Sequence, residues 1–180
     1  MRMGIDIKSK EILSKLKSTD SEIVLETIGK VRVSGSSLLL GEMIELLHNT
    51  EDLEIKKSLL NLLSELKDKE SVNVLVAAIK NEKYSEECAA LVACCWQNGL
   101  IYNDHLPCFI DLVINEEFLV AFEAFTVIEN MYGRIEEKII ELEVLKVNKA
   151  LKSANEQKSY LLNGLLTIIQ DIPEKHEYAD

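Results

Sequence analysis

Residues 57–81 read KSLLNLLSELKDKESVNVLVAAIKN, which predicts two helices joined by a short polar turn. Leucine dominates the first half, and the tripeptide Lys-Asp-Lys at 67–69 supplies the turn. In the second half Val72, Leu75 and Ala78 recur in steps of three, which places them near one face of a helix. The stretch therefore predicts a pair of antiparallel helices that ends near its last asparagine.

An asparagine follows an apolar helical run at four places, with spacings of 32, 34 and 33 residues. These residues are Asn49, Asn81, Asn115 and Asn148. The positions three, six and nine residues before each asparagine are all apolar. They are Leu46, Ala78, Leu112 and Leu145, then Met43, Leu75, Phe109 and Leu142, then Leu40, Val72, Leu106 and Ile139. Such columns predict the second helix of a repeated helix pair.

The first helix of each pair repeats as well, in two columns that lie 26 and 21 residues before each asparagine. They hold Ile23, Ile55, Ala89 and Phe122, then Ile28, Leu60, Cys94 and Val127. We therefore predict an all-α fold, an α-α superhelix (solenoid) of about four stacked helix pairs. A single domain over residues 1–180 would hold repeats at about 20–50, 51–82, 83–115 and 116–149.

Turn signals separate the two helices of each pair, and glycine suits the left-handed position after a helix end. They lie at residues 34–36, 67–69, 98–99 and 132–134. Asn103 is predicted to cap the helix that follows it, with Pro107 in the first turn. Acid pairs recur near predicted helix starts, where the helix dipole favours carboxylates. These pairs are residues 51–52, 86–87, 116–117 and 136–137.

Flanking helices complete the prediction. A short N-terminal helix over residues 7–17 would turn Ile12, Leu13 and Leu16 inward. A capping box of Ser153 and Glu156 would open a C-terminal helix over 154–170, before a polar tail at 173–180. This last helix has a broad apolar arc, which either packs on both helices of the fourth repeat or forms a homodimer contact centred on Tyr160 or Leu161. The arc holds Leu161, Leu162, Leu165, Leu166, Ile168, Ile169 and Ile172.

Composition favours a folded helical protein. Hydrophobic residues make up 47% of the chain, and 2 prolines and 7 glycines are few for an all-β fold. No apolar run follows Arg2, and no stretch of about 18 apolar residues occurs. We therefore expect a cytoplasmic protein without a secretory signal, a transmembrane helix or a membrane partner.

The charge balance is acidic, with 31 Asp and Glu against 20 Lys and Arg and a formal net charge of −11. A surface of this sign repels a phosphate backbone, so no nucleic-acid partner is expected. Two interpretations stay open. The charge serves solubility alone, or it complements a basic protein partner.

No catalytic, cofactor or metal site is predicted, because the sequence lacks the motifs of nucleophile elbows, phosphate loops and zinc proteases. The histidines are scattered: His48 and His105 are expected to be solvated at helix ends, and His176 lies in the tail. Trp96 is expected in the core. The cysteines lack paired zinc-ligand spacing and are expected to be reduced packing residues. They are Cys88, Cys94, Cys95 and Cys108.

The pattern of residues 57–81 resembles the HEAT-repeat family, whose labels overlap with armadillo-like superhelices. A Leu-rich helix is followed by a turn with Asp68, then by Val72 and by Leu75-x-x-Ala78-Ile. The resemblance spans about residues 20–150, although the fourth repeat has charged residues, among them Glu143, where the others are apolar. It implies a scaffold or adaptor that binds proteins on a curved surface.

Two classes of function stay open. The first is a non-enzymatic protein-binding module, which includes a small acidic inhibitor or immunity protein. The second is a HEAT-like enzyme or cofactor handler related to bilin lyases. In HEAT-like stacks the second helices line the concave side, which would carry an acidic surface of Glu42, Glu45, Asp111 and Glu141.

Overall fold

A computed structural model describes residues 7–34 and 39–172, and the regular elements in those two ranges are all helices. The ten α-helices are α1 (Ile7–Leu16), α2 (Ser21–Ser34), α3 (Leu40–Asn49), α4 (Leu53–Ser64), α5 (Ser71–Ile79), α6 (Cys88–Asn98), α7 (Leu106–Asn115), α8 (Phe118–Glu129), α9 (Glu137–Leu151) and α10 (Glu156–Asp171). Short 3-10 helices lie at Glu82–Tyr84 and Asn103–His105. The predicted all-α class is therefore confirmed.

The chain divides into two compact units, Met1–Glu87 and Cys88–Asp180, where the sequence suggested one domain. In the first unit α2 packs against α1 and α4, and α3 packs against α4 and α5. In the second unit α8 packs against α6, α7 and α10, and α9 packs against α7 and α10. Within each unit, consecutive helices therefore alternate between two layers, as stacked helix pairs do.

In the first three repeats, the columns six and nine residues before each asparagine are buried, whereas Leu46 and Leu112 of the third column are half-buried. Met43, Leu75 and Phe109 are buried in α3, α5 and α7. In the fourth repeat the corresponding Leu142 and the nearby Leu145 are 55% and 67% exposed, so these two predictions were wrong. The reason is that the orientation of α9 is set by its packing against α7 and α10. A different face of α9 turns inward, and it carries Glu143 and Val147.

The outer column of the first helices also fails as a core column. Ile23 and Phe122 lie on the surface, whereas Ile55 of the same column is buried. The two columns lie five residues apart, which is about 140° around a helix, so they are on different faces and do not both point to the core. The column nearer the turn holds better, because Ile28, Cys94 and Val127 are buried and Leu60 is half-buried.

The turn glycines adopt the predicted conformation. Gly99 and Gly133 have φ values of +67° and +83°, the left-handed region that glycine enters without a steric cost. Pro107 lies in the first turn of α7, as expected. Asn103, however, does not cap α7. Its side-chain amide donates to the Tyr132 carbonyl at 2.8 Å, which ties the turn before α7 to the turn after α8.

The predicted acid pairs lie at helix starts, and Asp52 accepts hydrogen bonds from two backbone N–H groups as the N-cap of α4. The capping box of Ser153 and Glu156 was wrong, because Asn155 caps α10 and accepts from the Lys158 N–H at 2.8 Å. An asparagine between the two predicted residues competes for the same role, since its side chain is also a strong N-cap.

The C-terminal helix closes the second unit. Helix α10 packs against α8, α9 and α7. Its apolar arc is turned into these contacts, with Leu161 only 3% exposed. The neighbouring Tyr160 is 82% exposed. The arc therefore packs on both helices of the fourth repeat, and the two residues proposed as the centre of a contact surface point in different directions. The predicted tail at 173–180 lies outside the described residues.

Candidate functional site

A groove of about 370 Å³ opens on the first unit, where α1 and its following turn meet α2, α3 and α4. Aliphatic side chains form its apolar part, which is why it can take an apolar group of a ligand. They are Leu13, Leu16, Val24, Leu46 and Ile55. The amphipathic pattern of α1 explains part of this lining, because Leu16 packs inward and leaves the following turn at the edge of the groove.

Polar residues line the rest of the groove. Three carboxylates, from Glu42, Glu45 and Asp52, stand against one ammonium, that of Lys17. Hydroxyl and amide groups complete the lining, and they are Ser18, Thr19, Ser21, Asn49 and Thr50. Two of the four residues predicted for an acidic surface, Glu42 and Glu45, are thus brought together, because residues at positions i and i+3 lie near one face of a helix.

Glu45 is the most strongly bonded of these carboxylates. Lys83 Nζ lies 2.5 and 2.6 Å from its two oxygens, and the Tyr84 hydroxyl donates to it at 2.8 Å. Asn49 Nδ2 donates to Oε1 at 2.9 Å. The hydrogen bonds from Lys83, then Tyr84, then Asn49 lower the pKa of Glu45 to about 2. Its negative charge is therefore fixed at any physiological pH.

The other two carboxylates differ in how much they can offer a ligand. Asp52 accepts from the Ser21 hydroxyl at 2.8 Å in addition to capping α4, and the hydrogen bond from Ser21 is the main cause of its lowered pKa. Glu42 is exposed on α3, and its contact with Lys17 is longer, at 3.5 Å. Of the three carboxylates, that of Glu42 is therefore the most accessible to a ligand.

His48 lies in the last turn of α3, as expected, but it is not simply solvated. Its Nδ1 is 3.1 Å from Glu87 Oε2, and the Tyr84 ring meets it edge-on with centroids 5.5 Å apart. These contacts, like those of Lys83 to Glu45, hold the 3-10 turn after α5 against α3. Glu45 is therefore both a groove residue and a structural anchor.

The other two predicted surface residues lie in the second unit. Asp111, on α7, pairs with Lys146 at 2.8 Å, and the same ammonium lies 2.8 Å from the buried Glu143 carboxylate. Burial by itself would lower the pKa of Lys146, but hydrogen bonds from it to Asp111 and Glu143 raise it. Asp111 is thus part of a bridge between α7 and α9. Glu141 is exposed on α9.

The thiols fit the predicted packing role. Cys88, Cys94 and Cys95 are buried and Cys108 is half-buried, and none of the four forms a disulfide. Burial is the main cause that raises the pKa of Cys88 to about 11 and that of Cys94 and Cys95 to about 12. Such thiols stay protonated, and a protonated thiol is a poor nucleophile.

Trp96 corrects another expectation. It is 37% exposed on α6, and its indole N–H donates to Glu123 Oε2 at 2.8 Å. The inner side of α6 carries Leu91, Val92, Cys94 and Cys95, so the Trp96 ring is left at the surface. Sequence counting missed this because Ala93 and Trp96 lie on the less buried side of the helix.

Metal ligation and membrane insertion are two further properties that the described part of the chain bears on. No group of three or more His, Cys, Asp or Glu side chains that could hold a metal ion lies there. Nor does any helix within residues 7–34 and 39–172 have the length and apolar character needed to cross a membrane.

The chain was compared with known proteins and structures. No protein-family model matches it, and no curated protein does. Among solved structures, it is similar to an engineered protein whose crystal structure comes from the Northeast Structural Genomics Consortium. The identity is 17%, over 89% of this chain and 78% of that one, with a TM-score of 0.44. A function must therefore be argued from the groove and the surface of this chain itself.

Proposed function

We propose that this chain is a non-enzymatic, HEAT-like binding module that holds a basic segment of a protein partner in the groove of its first unit. The observation that carries the proposal is the combination of an aliphatic floor with three carboxylates at one site, Glu42, Glu45 and Asp52. A lysine or arginine side chain of a partner can bind both parts of the groove, because its apolar stem can lie on the aliphatic residues while its charged end pairs with a carboxylate.

The charges of the groove favour a cation. The lining holds three carboxylates and the Lys17 ammonium, and Lys83 pairs with Glu45 from outside the lining, so three negative charges stand against two positive ones. Carboxylates at the edge of an apolar groove concentrate field lines and speed the encounter with a basic partner. This contribution depends on ionic strength, since exposed charges are screened over about 8 Å at physiological salt.

A cytoplasmic location agrees with the state of the thiols. Three of the four cysteines are buried and none of the four forms a disulfide, as is usual for thiols in a reducing compartment such as the cytoplasm. We therefore place the proposed module in the cytoplasm, as a scaffold or adaptor without a cofactor of its own.

Binding can be tested with a fluorescent synthetic peptide in which lysine and leucine alternate. Anisotropy should show saturable binding that weakens with salt. Glu42→Lys is expected to weaken the affinity by about tenfold at low salt and to flatten the salt dependence, because the exposed carboxylate is replaced by a repelling ammonium. Amide shifts in an NMR titration should map to α1, α3 and the start of α4.

The matched control is Glu141→Lys, which makes the same change in net charge at an exposed position of α9, in the second unit and outside the lining of the groove. It should weaken binding much less. Equal weakening by the two variants would mean that the peptide responds only to the total charge, and the groove would lose its proposed role.

A further inference from the structure

Large apolar side chains are exposed together on the second unit. Phe118 and Phe122 lie one turn apart on α8, and their rings stack with centroids 5.9 Å apart. Leu119, beside them, is 61% exposed. Trp96 joins them from α6, since its indole N–H bonds to Glu123 of α8. We call Trp96, Phe118, Leu119 and Phe122 the aromatic face.

The distribution of side chains around α8 explains why the aromatic face is exposed. The buried side of this helix carries Ala121, Ala124, Val127 and Ile128, and it packs against α6, α7 and α10. Small alanines at two of these positions let the neighbouring helices come close, so the large rings are left on the opposite side. Exposed rings that contact one another on a helix face mark an interaction surface more often than scattered single ones do.

Negative charge surrounds these rings. Residues 88–133 contain no Lys or Arg, whereas Glu116 and Glu117 stand exposed just before α8 and Glu123 lies beside Trp96. Lys158, which borders this region, directs its Nζ to the carbonyl oxygens of Val113 and Glu116 rather than outward. The surface thus offers π faces and carboxylates together, without a basic side chain from its own segment.

We propose that the aromatic face is a second binding surface, separate from the groove, and that it takes an arginine-bearing, partly apolar segment of a partner protein. A guanidinium group stacks on aromatic rings and pairs with carboxylates, and it is less strongly hydrated than an ammonium. Charge complementarity decides the occupant. A second copy of this chain would bring the same carboxylates against Glu116, Glu117 and Glu123 and would be repelled.

The test uses the protein's own fluorescence, because Trp96 is its single tryptophan. The probe is a synthetic peptide with arginine and leucine at helical spacing and no aromatic residue. It should change the Trp96 emission in a saturable way. Phe122→Ser should weaken this binding by about tenfold or more, as truncation of an interface aromatic does. A peptide with glutamine in place of arginine should bind at least about tenfold more weakly.

Three controls sharpen the result. Leu145→Ser removes a large apolar side chain from α9 that is 67% exposed, against 46% for Phe122, and should leave the affinity within about twofold. Glu42→Lys alters the groove and should not change the Trp96 response, which separates this proposal from the one above. Phe118→Ser serves as a second test if Phe122→Ser loses its helical circular dichroism.

Several outcomes would overturn the proposal. One is an unchanged Trp96 emission at saturating peptide. Another is equal weakening by Phe122→Ser and Leu145→Ser. A third is self-association of the parent protein in light scattering that Phe122→Ser abolishes, because the face would then bind a second copy.

Discussion

The carboxylate of Glu45 accepts side-chain hydrogen bonds from Lys83, Tyr84 and Asn49. Two of these donors belong to the 3-10 turn after α5, so one residue of α3 fixes a segment that lies far along the chain. The same contacts raise the pKa values of Lys83 and of Tyr84, for which the hydrogen bond to Glu45 is the main cause. The network therefore holds all three groups in the protonation state that they have at neutral pH.

Removing the Lys83 ammonium should raise the pKa of Glu45, because the hydrogen bond from Lys83 is the main cause of its low value. In Lys83→Ala the pKa of Glu45 is expected to rise from about 2 towards the ordinary value of 4.5, and in Tyr84→Phe it should rise less. A carbon-detected NMR titration of the glutamate carboxyls would measure both. Glu11, whose pKa is lowered by its hydrogen bond to Lys15, is the internal control and should not respond.

The direction of the stability change follows from the sign of the shift. The pKa of Glu45 is lower in the folded state than in the unfolded state. The ionised carboxylate therefore adds to the free energy of unfolding above about pH 4.5, and this stabilisation is lost as the pH falls through about 2. Lys83→Ala should lose less stability over that interval than the parent. A parent Glu45 that titrates near 4.5 would contradict the geometry of the network.

At the scale of the helix, α10 shows how sharply burial changes between neighbours. Leu161 is 3% exposed, in an arc that packs on α8 and α9, whereas Tyr160 is 82% exposed. Gly164, three residues on, lies against the Phe125 ring, where an added Cβ would come within 3.3 Å of ring carbons. The inner side of α10 is thus closely packed against neighbouring helices, whereas its outer side, which carries Tyr160, faces solvent.

Leu161→Ala should therefore cost about 3 kcal/mol of unfolding free energy, as for other buried leucines. Tyr160→Ala, at the next position on the same helix, should change it by no more than about 0.5 kcal/mol. Urea denaturation followed by circular dichroism would measure the two. If both variants lose similar stability, α10 does not pack on the second unit in the orientation described.

The helices were predictable where one apolar face repeats within a single helix. Met43, Leu75 and Phe109 are examples, since each is fixed by neighbours on its own helix. Prediction failed where a residue's role depends on other helices. Leu142 is exposed and Glu143 buried because α9 is oriented by α7 and α10. Glu143 itself was the available signal, as a charged residue that interrupts the apolar pattern.

At the scale of the molecule, the groove was only partly predictable. Glu42 and Glu45 share one face of α3, so their proximity follows from helix geometry. Asp52, Lys17 and the aliphatic floor join them only through the packing of four helices, which no local pattern encodes. Asp111 and Glu141 were grouped with them by repeat position, but they lie in the other compact unit.

Net charge acts on the molecule as a whole. The formal charge is −11, and the sequence of the second unit holds roughly twice as many acidic as basic residues. Mutual repulsion of this kind destabilises a compact state and is screened by salt. The parent should therefore gain thermal stability as NaCl is raised from low concentration, unlike a protein with balanced charge.

Asn163 offers a position at which this repulsion can be measured. It is exposed in the middle of α10, far from the helix ends, and its side-chain amide donates to the Ser159 carbonyl. Asn163→Lys and Asn163→Glu lose the same hydrogen bond and have similar helix propensities, but they change the net charge in opposite directions. At low salt the lysine variant should melt about 2 °C above the glutamate variant, and the difference should vanish near about 0.5 M NaCl. Equal melting temperatures at low salt, or a difference that salt does not reduce, would mean that self-repulsion contributes little, because local effects of the two side chains are matched.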